Sequence, residues 1–213
     1  MATRTTAYVP QTKYINNADG KGWLVVKYNA GGTTPPLPQF LKVKTYKVEN
    51  GREYFTIMEG KDGFRGKKAS TPLLRNGRSR LLTFRPRLSP GRIRFDRKND
   101  KLWYGTRGPV DAHTDIKPNS GDPLIPLGTH NLAIPHEPHP KARGYESYSI
   151  YALTWFRIGT TVVNDRFLHP GRGSWGCATV DELTEWTNIY TYLIKRRGAG
   201  SKSVGTIQVF EGP

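Results

Sequence analysis

Alternating apolar and polar positions dominate the first sixty residues. "WLVVKY" from Trp23, "FLKVKTYKV" from Phe40 and "EYFTIM" from Glu53 each carry β-branched and aromatic residues at strand spacing. Asn50-Gly51 separates the last two, and that dipeptide accepts the positive φ of a tight turn, so the pattern predicts a hairpin. Over 61–92 the alternation fades into a basic run broken by Pro and Gly, which predicts a connector. It returns in "RIRFDRKNDKLWYG", with a turn near Asn99-Asp100, and in "LIPLGTHNLAIP", where Pro126 and Gly128 lead into a strand over 129–134. Residues 147–168 read as further sheet up to His169, and "VGTIQVF" reads as a last strand. The period changes once. Leu183, Trp186, Tyr190 and Leu193 recur at helical spacing, with Thr179 as the expected N-cap, Glu182 completing a capping box, and Gly198 beyond a basic last turn. The expected fold is mostly β (β+α), with an N-terminal β segment and basic connector over 1–88 and a second β domain over 89–213.

Composition agrees with one substantial core. The chain has 213 residues, 36% of them apolar, and its 23 Gly and 16 Pro suit short strands joined by turns. No run approaches the roughly 18 apolar residues of a membrane span. The first 23 residues contain no apolar stretch of signal-peptide length, so the expectation is synthesis in the cytoplasm and any export by another route. Charge adds a partner class. The net charge is +16, and between Phe64 and Phe95 stand ten Lys or Arg and no acid. Such a balance attracts nucleic acid, anionic lipid, cell-wall polymer or an acidic protein, unless the run is simply a solvated loop.

The candidate chemistry lies in "HPGRGSWGCATV", residues 169–180, around the sole cysteine, Cys177. A lone thiol is either a small buried hydrophobe or a nucleophile. For the second reading, Cys177 would sit just ahead of the predicted helix, whose dipole would lower its pKa. Gly176 would let substrate approach the backbone, and the amides of 176–178 would face a developing oxyanion. His169 is the expected base, returned to the thiol by the glycine-rich loop. Arg172 can hold a carboxylate bidentately or remain solvated, and Asp165 is a candidate third group. All five histidines precede the cysteine, which excludes the papain order. His136 and His139, with His113 and Asp115 upstream, raise a zinc reading, but prolines flank the pair and a surface loop explains it better. No metal or other cofactor is therefore expected. Two classes compete with an enzyme: a basic nucleic-acid-binding protein without catalytic activity, with Tyr or Trp for stacking, and an adaptor whose cysteine motif is inactive.

"IPLGTHNL" resembles the TPxGxY segment, and "H…SWGC" the HG…S-x-G-C signature, of YkuD-like L,D-transpeptidases; the short His-to-Cys interval is closest to the L,D-transpeptidase-related effectors of type VI secretion. The resemblance spans roughly 92–213. It implies a β-sandwich or barrel with one main helix after the cysteine. Cys177 would be the nucleophile, His169 the base, and Ser174 a residue that shapes or polarises the site, with Arg172, Trp175 and Gly176 toward the substrate. Trp175 stands where many members have histidine. The implied activity is L,D-carboxypeptidase or transpeptidase chemistry on peptidoglycan stem peptides, in the periplasm of a target cell. The implied partners are a secretion apparatus and an acidic immunity protein.

Overall fold

The computed structural model describes residues 8–17, 19–29, 31, 35–115, 123–159 and 165–213. Its N-terminal part carries β1 (Thr12–Tyr14), β2 (Trp23–Leu24), β3 (Lys27–Tyr28), β4 (Leu37–Pro38), β5 (Lys42–Glu49), β6 (Arg52–Ile57) and β7 (Lys68–Pro72). The predicted hairpin is β5–β6. Glu49 pairs with Arg52, while Asn50 and Gly51 take φ of 49° and 69°, the left-handed values that this turn requires. Along β6 the alternation buries Glu53, Phe55 and Ile57 on one face.

Two expectations need correction here. "WLVVKY" is not one strand: β2 pairs with β4 in a ribbon, whereas β3 closes the sheet ordered β1-β5-β6-β7-β3. The basic connector also contains a strand. Ala69, Ser70 and Thr71 of β7 are buried against β6, and residues this small gave no apolar signal between their charged neighbours.

The second part is a closed eight-stranded barrel with one main helix. It comprises β8 (Gly91–Asp96), β9 (Lys101–Tyr104), β10 (Arg107–His113), β11 (Gly128–Ala133), β12 (Phe156–Gly159), β13 (Arg166–Pro170), β14 (Ala178–Val180) and β15 (Ser203–Phe210), closing in the order β10-β14-β13-β12-β11-β15-β8-β9. The β8–β9 and β11 predictions hold. Of the sheet expected over 147–168 only β12 and the start of β13 form, because residues 147–155 close turns on themselves instead; residues 160–164 lie outside the described residues, as do residues 1–7 of the N-terminal reading. Among the described residues no helix is long and apolar enough to cross a membrane.

The helix starts later than its capping box predicts. A 3-10 turn, Leu183–Glu185, leads into α1 (Trp186–Ile194), and Thr179 belongs to β14 instead. Pairing with β13 on one side and β10 on the other claims the backbone there before a helix can start. Of the expected apolar stripe Trp186, Tyr190 and Leu193 are at most 1% exposed on α1, Ile189 joins them, and Leu183, 6% exposed, lies in the 3-10 turn. Tyr190 stacks on Tyr151 at 4.0 Å, and Trp186 Nε1 donates to Tyr151 O at 3.1 Å.

A buried ion triad ties the two parts together. Glu59, 2% exposed, accepts from Arg85 at 2.6 and 2.8 Å and from Arg197 at 2.8 Å, and both guanidiniums also donate to Phe40 O at 2.9 Å. Arg85 thus leaves the basic run to serve as an internal counter-ion. Burial pushes the Glu59 carboxyl up, but the Arg85 hydrogen bond and the Arg197 charge outweigh it and hold the group below its ordinary value. The unfolded chain therefore binds this proton first, so the triad stabilises fully above the ordinary Glu range and loses its contribution as pH falls through the lower folded value. Glu59→Gln strands two buried cations and should cost about 3–5 kcal/mol at neutral pH. Urea denaturation at several pH values checks it; a variant that is as stable as the wild type at pH 7, or equally acid-sensitive, contradicts this role.

Candidate active site

β13 and β14 run parallel, in register Leu168 with Ala178, His169 with Thr179 and Pro170 with Val180. A parallel neighbour usually needs a dozen residues or more to bring the chain back. Residues 171–177 suffice because only three rungs are paired. The return turns on Trp175 and Gly176, both left-handed at φ 48° and 81°. At 176 only glycine fits, since a Cβ would lie 2.5 Å from Arg166 Nε and 3.0 Å from Pro123 O. The "RGSWGC" loop is thus what a return this short requires.

Side chains alternate along β14, so Cys177, one residue before it, shares a face with Thr179, and Thr179 shares that face with His169. Cys177 and His169 line one cavity of about 390 Å³, with Lys141, Tyr145, Trp155, Arg166 and Trp175 among its walls. His169 is 3% exposed. Its Nδ1 lies 3.0 Å from Pro170 O and its Nε2 3.2 Å from Thr179 Oγ1. A carbonyl only accepts, so Nδ1 carries the proton and Nε2 accepts from the Thr179 hydroxyl. The basic nitrogen is therefore Nε2. Burial drives the imidazole down to about 4, against the pull of the Pro170 carbonyl, so the ring is neutral at pH 7.

The sulfur is less acidic than the sequence suggests. Among the described residues no helix N-terminus faces Cys177, and burial pushes its thiol up, opposed by a backbone hydrogen bond from Phe167 and by the Arg166 charge. The amides expected to bind an oxyanion are also occupied: Gly176 N–H donates to Asp115 O and Cys177 N–H to Ser174 O. Ser174 shapes the loop, its Oγ donating to Cys177 O at 2.7 Å. Trp175, 54% exposed, lies at the mouth with Lys141 Nζ 5.9 Å from its ring. Arg172 is exposed and lies outside the cavity lining; its N–H donates to the Tyr145 hydroxyl. Asp165 pairs with Arg157 at 2.6 Å, and Pro170 O orients His169 in its place.

Several site residues escaped the sequence reading. His169 stacks on Trp155 at 4.2 Å, which stacks on His139 at 4.4 Å, while Phe167 meets both Trp155 and His139 edge-on. His139 is thus part of an aromatic wall, and among the described residues no cluster of three His, Cys, Asp or Glu could hold a metal ion. Thr179 and Arg166 were likewise missed, the first because its capping pattern was local, the second because its burial comes from distant segments. No family model matches the chain, and neither a curated protein nor a solved structure does.

The buried imidazole makes a pH prediction. Below its ordinary value of 6.5 the unfolded chain takes up a proton that the folded His169 refuses until about 4. Stability is then complete above pH 6.5 and falls by about 3 kcal/mol by pH 4. His169→Gln should lose that much less over the same interval in chemical denaturation. Parallel losses in both proteins would show that His169 titrates near its ordinary value.

Proposed function

We propose that the chain is a cysteine L,D-transpeptidase or L,D-carboxypeptidase that acts on peptidoglycan stem tetrapeptides through a Cys177 acyl-enzyme. One observation carries the reading: the sole thiol and a neutral, oriented imidazole line one cavity, behind a loop whose "SWGC" resembles the family signature.

Chemistry follows from the groups in place. As Sγ attacks the carbonyl carbon of the third stem residue, the Thr179 hydroxyl turns away and the thiol proton passes to His169 Nε2, the nitrogen that the Pro170 carbonyl at Nδ1 leaves unprotonated. The tetrahedral intermediate collapses by breaking the C–N bond to D-Ala, and Nε2 returns the proton to that nitrogen. A thioester on Cys177 remains. Water releases a tripeptide acid, whereas an amine forms a cross-link. Trp155, Tyr145 and Trp175 supply flat apolar walls for the peptide, and Lys141 supplies a positive charge for a stem carboxylate.

The same resemblance extends the reading to an antibacterial effector, made in the cytoplasm and delivered by type VI secretion into a target-cell periplasm. The +16 surface suits the polyanionic envelope and an acidic immunity protein that guards the producer.

Mass spectrometry of muropeptides tests the core of this. Cys177→Ala should abolish turnover while leaving Tm within a few degrees, and His169→Ala should slow it about 100-fold or more. With the imidazole neutral down to about 4, the acid limb of kcat/KM should lie near pH 4, well below the ordinary histidine range. Fused to a cleavable secretory signal, the chain should lyse a Gram-negative host, and Cys177→Ala should restore growth. Full turnover by Cys177→Ala sinks the proposal; salt-sensitive nucleic-acid binding by an inactive protein would put the basic-protein reading first.

A further inference from the structure

Arg166 opens β13 and is 2% exposed. Pro123 O accepts from its Nη2 at 3.0 Å, but its buried Nε has no hydrogen-bond partner. Among the described residues the arginine ion pairs do not include it, and the adjacent Asp165 pairs with Arg157. A guanidinium does not shed its proton at any working pH. A buried guanidinium, held away from water, interacts strongly with any anion beside it, so a thiolate at this place, even a transient one, would be stabilised.

Geometry points to the sulfur. The guanidinium packs beneath Gly176, where an added Cβ would come within 2.5 Å of Nε and 2.8 Å of Cζ, and Arg166 and Cys177 line the same cavity. The other titratable groups in that lining are Lys141, Tyr145, Asp165 and His169. Asp165 carries the wrong sign, Lys141 lies out by Trp175, and the imidazole carries no charge at neutral pH.

We propose that Arg166 is a positioning residue for Cys177, its guanidinium being the fixed positive charge that stabilises the thiolate as the proton leaves. It takes the part that the sequence assigned to a helix N-terminus. The use of that thiolate in acyl transfer rests on the proposed function; the pairing of charge and sulfur does not.

Iodoacetamide alkylation of Cys177 in the full chain, followed by mass against pH, tests the pairing. Arg166→Met should raise the alkylation midpoint by about one pH unit, about a tenfold slower reaction at fixed pH. Arg166→Lys, which keeps the charge, should stay within about a third of that shift. Near-UV circular dichroism verifies folding. Should Arg166→Met not fold, Arg166→Gln decides, because it keeps a polar head near Pro123 O while removing the charge, and its midpoint should also rise. An unmoved midpoint in a folded Arg166→Met, or in Arg166→Gln where that variant has to decide, overturns the proposal. Muropeptide cleavage does not enter this readout. A shifted midpoint in a protein without turnover would sink the proposed function alone, and an active enzyme with an unmoved midpoint would sink this inference alone.

Discussion

The three-rung parallel pairing of β13 with β14 is the constraint on which the site depends. It sets His169 beside Thr179 and so turns Cys177 to the same face, and it dictates that the chain return within residues 171–177. A longer connection would relax the strain at Trp175 and Gly176 but would free Cys177 from its register. A shift of one residue would send the cysteine to the opposite face from the imidazole. Closure of the barrel reinforces the pair, because β10 flanks β14 and β12 flanks β13, so neither strand has a free edge along which to slip.

Around that frame the polar groups are arranged against their solvation preferences. His169 is neutral because water is excluded and its neighbours on one side are rings, Trp155 and then His139. Arg166 is charged and buried, while the thiol that lines the same cavity is raised by the same exclusion of water. A low dielectric makes each of these groups respond strongly to its partners, which is the condition under which a proton moves between a sulfur and an imidazole. The basic surplus is divided by the same logic. Arg85 and Arg197 are internal and share the Glu59 carboxylate, whereas Lys68 and Arg92 remain exposed.

The two parts of the chain are joined rather than merely adjacent. Glu59 follows β6, Arg85 lies ahead of the barrel, and Arg197 follows α1, so one carboxylate links three segments far apart in sequence. Tyr190 Oη donates to Gln39 Oε1 at 3.3 Å from the same helix. The helix thereby packs its apolar stripe inward and anchors the N-terminal sheet at its end.

The mostly β class, the hairpins at Asn50-Gly51 and Asn99-Asp100, β11, β15 and the apolar stripe of α1 were legible in the sequence, because each rests on contacts or turn conformations within a few residues. The grouping of Cys177, His169 and Ser174 was legible as well, since eight residues confine all three to one loop and its ends. Thr179 was misread as a cap because its capping pattern is local and the parallel pairing that overrides it is not. The strand β7, the internal role of Arg85, the stacking of His139 on Trp155 and the burial of Arg166 beneath Gly176 were decided by tertiary structure alone. Each depends on segments distant in sequence that only the tertiary fold brings together, and burial, which sets the charge state of His169 and Cys177, is a property of the packed chain that no short stretch of it contains.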